Sequence, residues 1–213
     1  MKYKAVIFDL DGVICHTDRY HYQAWKQVAE ELGVYFDEEI NNRLRGISRM
    51  ESLEIILENY HGNLNQEEKT FLAEKKNEIY KELLKHMSPK DLSGEVKATL
   101  NALRLKGLKL GIGSSSKNAG FILERIGLFG YFDAISDGNN IINSKPDPEV
   151  FLKAARFLSE DPKGCLVVED AKAGLEAAKA GNMDCGAIGD GISCNIATYQ
   201  LNTFSDLLKI VEP

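Results

Sequence analysis

The chain has 213 residues, 44% of them hydrophobic, and a formal net charge of −6. That is enough apolar chain to bury a full core as one large domain or two small ones. A pI near 5.3 speaks against a nucleic-acid partner, whose binding surface would be basic, and no apolar run approaches the roughly 20 residues of a membrane span, so neither partner is expected.

The opening stretch MKYKAVIFDLD turns acidic too early for a signal peptide. Within it, residues 4–8 (KAVIF) read as a buried strand that delivers two carboxylates, Asp9 and Asp11, at its end. Burial of charge is unfavourable by on the order of several kcal/mol unless something compensates it, so this pair needs a reason. Residues 19–87 then show helical periodicity, many Glu and Lys, and little strand character. They exceed what one crossover needs, and their apolar positions could fill a small core of their own. An inserted helical domain is favoured over a long decorated crossover. Residues 108–113 (LKLGIG) predict a second strand and 117–127 a helix; 132–136 (FDAIS) predict a third strand and 148–158 a helix, with Pro148 suited to its first turn. Residues 165–169 (CLVVE) predict a fourth strand before an alanine-rich helix, 171–180, stopped by Gly181. Residues 183–188 (MDCGAI) predict a fifth, and SDLLKIVEP a closing helix.

Strands alternating with helices predict an α/β fold, a Rossmann-like doubly wound parallel sheet with an inserted all-helical cap. The expected division is residues 1–15 and 89–213 for the core and 16–88 for the cap. Cys15, Cys165, Cys185 and Cys194 show no C-x-x-C pairing and no metal-ligand spacing; they read as reduced thiols, which predicts a cytoplasmic protein.

In such a sheet, ligands bind beyond the carboxyl ends of the strands. There the sequence sets Asp9 and Asp11, then Ser114-Ser115-Ser116, then Lys145-Pro146, then Glu169-Asp170. Four carboxylates left alone would repel and raise one another's pKa. A divalent cation resolves this, and an all-oxygen donor set suits Mg²⁺, which keeps waters and shares phosphate oxygens. A hydroxyl and a lysine are then free to hold the rest of a phosphoryl group.

Taken in order, DLDGV, SSS, SKPDP and VVEDAKAG resemble the four motifs of the haloacid dehalogenase superfamily of phosphoryl-transfer enzymes. The resemblance spans the chain, and the four-part set is far more specific than a lone D-x-D. It implies Asp9 as nucleophile and Asp11 as general acid and base, which argues against dehalogenation. It implies Ser114 and Lys145 on the transferring phosphoryl. Mg²⁺ would be held by Asp9, the Asp11 backbone carbonyl and Asp170, with Glu169 in or beside its ligand set.

The cap carries its own pattern. Gly46 and Arg49 lie in RGISR, Ser52 one turn on, Lys76 in KKN, and His21 and Trp25 at i and i+4 in YHYQAW. Singly, each has a bland reading as a solvated charge or as core. Together they resemble the superfamily's phosphosugar mutases. That resemblance implies that Arg49, Ser116, Lys117 and Asn118 grip a second, non-transferring phosphate, with Ser115 beside them. His21 and Lys76 would respond to substrate and cap closure. The implied activity interconverts β-D-glucose 1-phosphate and D-glucose 6-phosphate through an aspartyl phosphate and a 1,6-bisphosphate, in a monomer that takes small sugar phosphates. A Mg²⁺-dependent sugar-phosphate phosphatase is the alternative. His16 stands where an acidic residue is usual, and GAIGDGIS has no assigned role.

Overall fold

The computed structural model describes residues 2–212. Six strands, β1 (Ala5–Phe8), β2 (Lys109–Gly113), β3 (Ala134–Ser136), β4 (Cys165–Glu169), β5 (Asp184–Ile188) and β6 (Tyr199–Leu201), form one sheet in the order β3-β2-β1-β4-β5-β6. Every pairing is parallel. Among the described residues nine α-helices accompany the strands. α1 (Asp18–Glu31), α2 (Glu38–Asn42), α3 (Arg49–Ile56), α4 (Gln66–Leu84) and α5 (Gly94–Leu105) lie between β1 and β2 in the chain. α6 (Ala119–Arg125), α7 (Glu149–Phe157), α8 (Lys172–Ala180) and α9 (Leu207–Ile210) follow.

β1 has no polar residue because both its faces are covered. Side chains alternate across a strand, so Val6 and Phe8 enter one buried layer with Leu100, Leu103 and Ile122. Ala5 and Ile7 enter the other with Val150, Phe151 and Leu175. A third apolar cluster, with Trp25, Val28, Leu53, Ile56 and Leu72 at its centre, lies wholly among α1–α4. This is the separate small core that the apolar positions of 19–87 predict. The far end of α4 behaves differently: Tyr80 and Leu84 pack into the main core, so this helix ties the two clusters together.

The predicted strands and helices match to within about two residues at their ends, the usual scatter of element boundaries. β6 is absent from the sequence reading. It is three residues long and contributes one fully buried side chain, Leu201, too short a pattern for alternation to register. The closing helix is a single turn, Leu207–Ile210. Among the described residues no helix is long and apolar enough to cross a membrane, and the four cysteines are free.

The chain enters at the centre of the sheet, builds outward to β3, and then returns to build β4 to β6 on the other side. Ligands in such sheets bind where the strand order reverses. Here that point lies beyond the carboxyl ends of the neighbours β1 and β4, which lead into Asp9 and Glu169-Asp170.

Candidate active site

Asp9 continues β1 by one step, its N–H donating to the Val168 carbonyl at 2.9 Å. The chain must then turn at once, and Gly12 makes the turn with φ +88°. A side chain there would be strained, and its Cβ would also stand 2.1 Å from an Asp170 oxygen. Glycine thus lets the Asp170 carboxylate approach the DLD turn. Thr17, fully buried, donates its hydroxyl to the Asp11 carboxylate. His16 beside it is exposed, so Thr17, not residue 16, makes the polar contact of this hinge segment.

Lys145 is completely buried. Its Nζ donates to Asp9 Oδ1 at 2.5 Å and to Glu169 Oε1 at 2.6 Å. The other Glu169 oxygen accepts the Ala171 N–H at 2.7 Å. Glu169, expected in or beside the metal's ligand set, has both oxygens engaged here, and it is the counter-ion that aims Lys145. Gly174 permits this, since a Cβ there would fall 1.8 Å from Glu169 Oε1.

Asp9, Asp11, Glu169 and Asp170 thus gather around a single buried lysine, and positive charge is in deficit. Burial, with Glu169 and Asp11 adding and Lys145 opposing, pushes the Asp9 carboxyl up to about 8. Burial, Glu169 and Asp9 push Asp170 up to about 9. Burial raises Asp11 to about 6 against the Thr17 hydrogen bond. Burial opposes the charge on Lys145, but Asp9 and Glu169 outweigh it and the net shift is upward. The lysine stays charged, and the carboxylates lack a second cation.

A hard divalent ion fits that deficit and the all-oxygen donors. Among the described residues no group of three or more Asp, Glu, His or Cys side chains forms a metal cage. Mg²⁺ takes one or two carboxylates and fills its remaining positions with water and phosphate oxygens.

Above this cluster opens a cleft of about 1120 Å³ between the sheet edge and α1–α4. Every residue singled out in the sequence lines it except Lys145, which lies beneath. At its far end Ser48 caps α3 through a reciprocal box with Glu51, so Arg49 stands at the helix's first position. Its Nη2 donates to Asn77 Oδ1 at 2.8 Å, and that oxygen also accepts Asn118 Nδ2 at 2.9 Å. Asn77 therefore links the cap arginine to the core loop. Asn77 belongs to the KKN stretch read in the sequence with Lys76, but the sequence gives it no role and no partner.

Lys76 is buried, its Nζ 2.9 Å from His21 Nδ1 and over the rings of Tyr80 and Trp25 at 4.5 and 5.0 Å. Burial and the nearby Arg49, opposed by Asp11, lower Lys76 to about 7. Burial, Lys76 and Arg49 hold His21 well below its ordinary value. A neutral His21 Nδ1 can therefore accept from Lys76.

Three candidate contacts have other partners. Ser52 donates its hydroxyl to the Ser48 carbonyl at 2.9 Å inside α3. Ser115 donates to the Gly46 carbonyl at 3.1 Å, tying core to cap. Trp25 is 2% exposed and belongs to the cap cluster, so it supports Lys76. Ser114 Oγ accepts the Ser116 N–H, and Ser116 Oγ the Asn118 N–H, both at 3.1 Å. These bonds shape the loop and leave each hydroxyl hydrogen available. Lys117 is exposed at the rim.

A profile of the haloacid dehalogenase-like hydrolases matches residues 3–182, and the chain belongs to that family. Among its relatives is a β-phosphoglucomutase of Bacillus subtilis (strain 168), 42% identical over 209 residues, covering 96% of this chain and 91% of the relative. A crystal structure of β-phosphoglucomutase from Clostridium difficile superposes with a TM-score of 0.91 at 38% identity, covering 96% of this chain and 93% of that one. A phosphorylated carbohydrates phosphatase of Thermotoga maritima is 33% identical, covering 85% and 82% of the two chains.

Proposed function

We propose that the protein is a Mg²⁺-dependent phosphosugar mutase that interconverts β-D-glucose 1-phosphate and D-glucose 6-phosphate, acting as a monomer in the cytosol, with residues 16–88 as a cap over the core. The observation that carries the reading is the two-ended cleft. Asp9, Lys145 and Ser114 stand at one end, and an arginine held by Asn77 stands at the other. A bisphosphate needs both ends at once. A monophosphate needs one.

Asp9 attacks phosphorus, an aspartyl–phosphate bond forms, and the bond to the sugar oxygen breaks while Asp11 gives that oxygen a proton. In the reverse sense Asp11 takes the proton of an attacking sugar hydroxyl as it accepts the phosphoryl from Asp9. Transfer to the C6 hydroxyl of β-glucose 1-phosphate gives the 1,6-bisphosphate. That intermediate turns over end for end, returns its C1 phosphate to Asp9, and leaves glucose 6-phosphate. Lys145 and Ser114 hold the phosphoryl oxygens in both directions. Asp11, raised to about 6, is poised to work both as acid and as base near neutral pH. The Asp9 and Asp170 carboxylates and the Asp11 carbonyl would hold Mg²⁺, which would supply positive charge to the phosphoryl oxygens. Closure of the cap keeps water from the aspartyl phosphate.

The relative that is a phosphorylated carbohydrates phosphatase supports a second reading, in which water accepts the phosphoryl group. Incubation with β-glucose 1-phosphate, Mg²⁺ and a trace of the bisphosphate decides between them. The mutase yields glucose 6-phosphate; the phosphatase yields inorganic phosphate.

A further inference from the structure

The loop that carries Gly46 into Arg49 begins at Arg45, and this arginine reaches out of the cap in two directions. Its Nη2 donates to Asp18 at 2.8 Å, in the first turn of α1, and its Nη1 to Asp190, 145 residues away. Asp190 lies in the glycine-rich segment after β5. Among the described residues, Arg45 Nε is buried without a partner. The loop is thus held through its two terminal nitrogens.

The segment that supplies Asp190 is itself fitted to the site. Gly189 has φ +57°, and a Cβ on Gly191 would stand 2.9 Å from the Asp170 carbonyl oxygen. Glycine at 191 lets this segment lie directly on the backbone of Asp170. Asp18, the other partner of Arg45, is the first residue of α1, one residue past the Thr17 that holds Asp11. Arg45 therefore joins three things: the cap loop, the start of the cap's first helix, and the core segment seated on Asp170.

We propose that the Arg45–Asp190 pair is the latch that seats the Gly46–Arg49 loop over the cleft. Arg45 is then a positioning residue for phosphoryl transfer, and the glycine-rich segment is its receiving surface. The consequence for partition between sugar and water rests on the mutase reading above; the latch itself does not. The chemistry asks for a weak latch, because the bisphosphate must turn over and the product must leave in each cycle. Asp190 is largely exposed, with 79% of its side chain open to solvent, and exposed ion pairs are weak and salt-sensitive. Beside it the Ser115–Gly46 hydrogen bond gives the loop a neutral second hold.

Hydrogen exchange of the unliganded full-length protein tests the latch, and product partition tests its consequence. Asp190→Asn should speed exchange of the amides at 45–48 by about threefold, the scale of an exposed ion pair. It should raise inorganic phosphate relative to glucose 6-phosphate by a similar factor. The charge swap Arg45→Glu with Asp190→Arg should recover part of the exchange and partition that Arg45→Glu alone loses, the remainder being the contact with Asp18, and a merely structural role of either residue would recover none. Exchange at 45–48 unaltered by Asp190→Asn, or a swap no better than Arg45→Glu alone, overturns the latch. A wild type that yields only inorganic phosphate overturns the mutase reading instead, and the exchange result still decides the latch.

Discussion

Lys145 Nζ stands 2.5 Å from Asp9 Oδ1, across 136 residues of sequence and out of reach of solvent. The pair puts the proposed nucleophile and the cation that faces its phosphoryl group in one fixed geometry. Glu169, 2.6 Å away on the other side, keeps the lysine from swinging out of it.

Removing that lysine leaves two buried carboxylates face to face. Lys145→Ala should abolish phosphoryl transfer and destabilise the protein by about 3–5 kcal/mol at neutral pH, the scale for breaking a buried pair. Urea unfolding measures it. Near pH 5 the loss should shrink, because the orphaned carboxylates can take up protons there.

The acid cluster sets a pH dependence for the metal-free protein. Asp11, Asp9 and Asp170 have folded values of about 6, 8 and 9 against an ordinary 3.8. The folded state therefore binds more protons than the unfolded one from about pH 4 to 9, and stability falls as pH rises through that window. His21, held well below 6.5, acts in the opposite sense at lower pH, and Lys76, lowered to about 7, does so above pH 7, where Asp9 and Asp170 still outnumber it. Mg²⁺ competes with those protons. Its stabilising shift in Tm should be larger near pH 8.5 than near pH 5.5 by at least about 3 °C, the shift that 1 kcal/mol gives a chain of this size. Thermal melts with Mg²⁺ and with a chelator measure both effects.

At position 12 even a methyl group has no room. Gly12→Ala places Cβ at φ +88° and 2.1 Å from Asp170 Oδ2, so the carboxylate must move. The variant should lose about 1–2 kcal/mol from its backbone conformation. It should also need higher Mg²⁺ for activity, as should Asp170→Ala, whose activity should partly recover at high metal. Mg²⁺ titrations of activity and Tm check this; an unchanged Mg²⁺ requirement in both variants would place the metal elsewhere.

Asp9→Asn should abolish turnover and phosphoenzyme formation, since an amide is no nucleophile for this step. Trapping a hydroxylamine-sensitive phosphate on the wild type and none on the variant would agree. A hydroxylamine-resistant phosphate would point to another nucleophile.

Arg49 separates the mutase from the phosphatase. A bidentate guanidinium–phosphate contact is strong and geometrically selective, and its loss should weaken transition-state binding by about 2–4 kcal/mol, roughly thirty- to a thousand-fold in rate. Arg49→Ala should cripple isomerisation while leaving acetyl phosphate hydrolysis nearly intact. Asn77→Ala, which removes the hydrogen bonds that Arg49 and Asn118 both make to Asn77 Oδ1, should follow the same pattern with a smaller loss. Steady-state kinetics on both substrates measures the difference.

The core and one end of the site were legible in the sequence because a parallel sheet imposes a rule. A buried apolar strand must end somewhere, and in this topology all the strands end on one edge, so Asp9, Ser114 and Asp170 could be placed together before any coordinates. The helical insert was legible because its periodicity called for a core that the sheet did not need. What only the tertiary structure decided is which atom each polar group meets. Glu169 reads as one more acid in a cluster; its partnership with Lys145 and the Ala171 N–H follows from how β4 sits beside the loop at 145. The hydroxyls of Ser52 and Ser115 look free to bind a substrate until their carbonyl partners come within 3.1 Å. Asn77, and the contact between Arg45 and Asp190, depend on how the cap is seated on the core. Apolar burial repeats along the chain with the period of its secondary structure and can be read there. A hydrogen bond between distant segments depends on tenths of an ångström between elements that the local sequence does not encode.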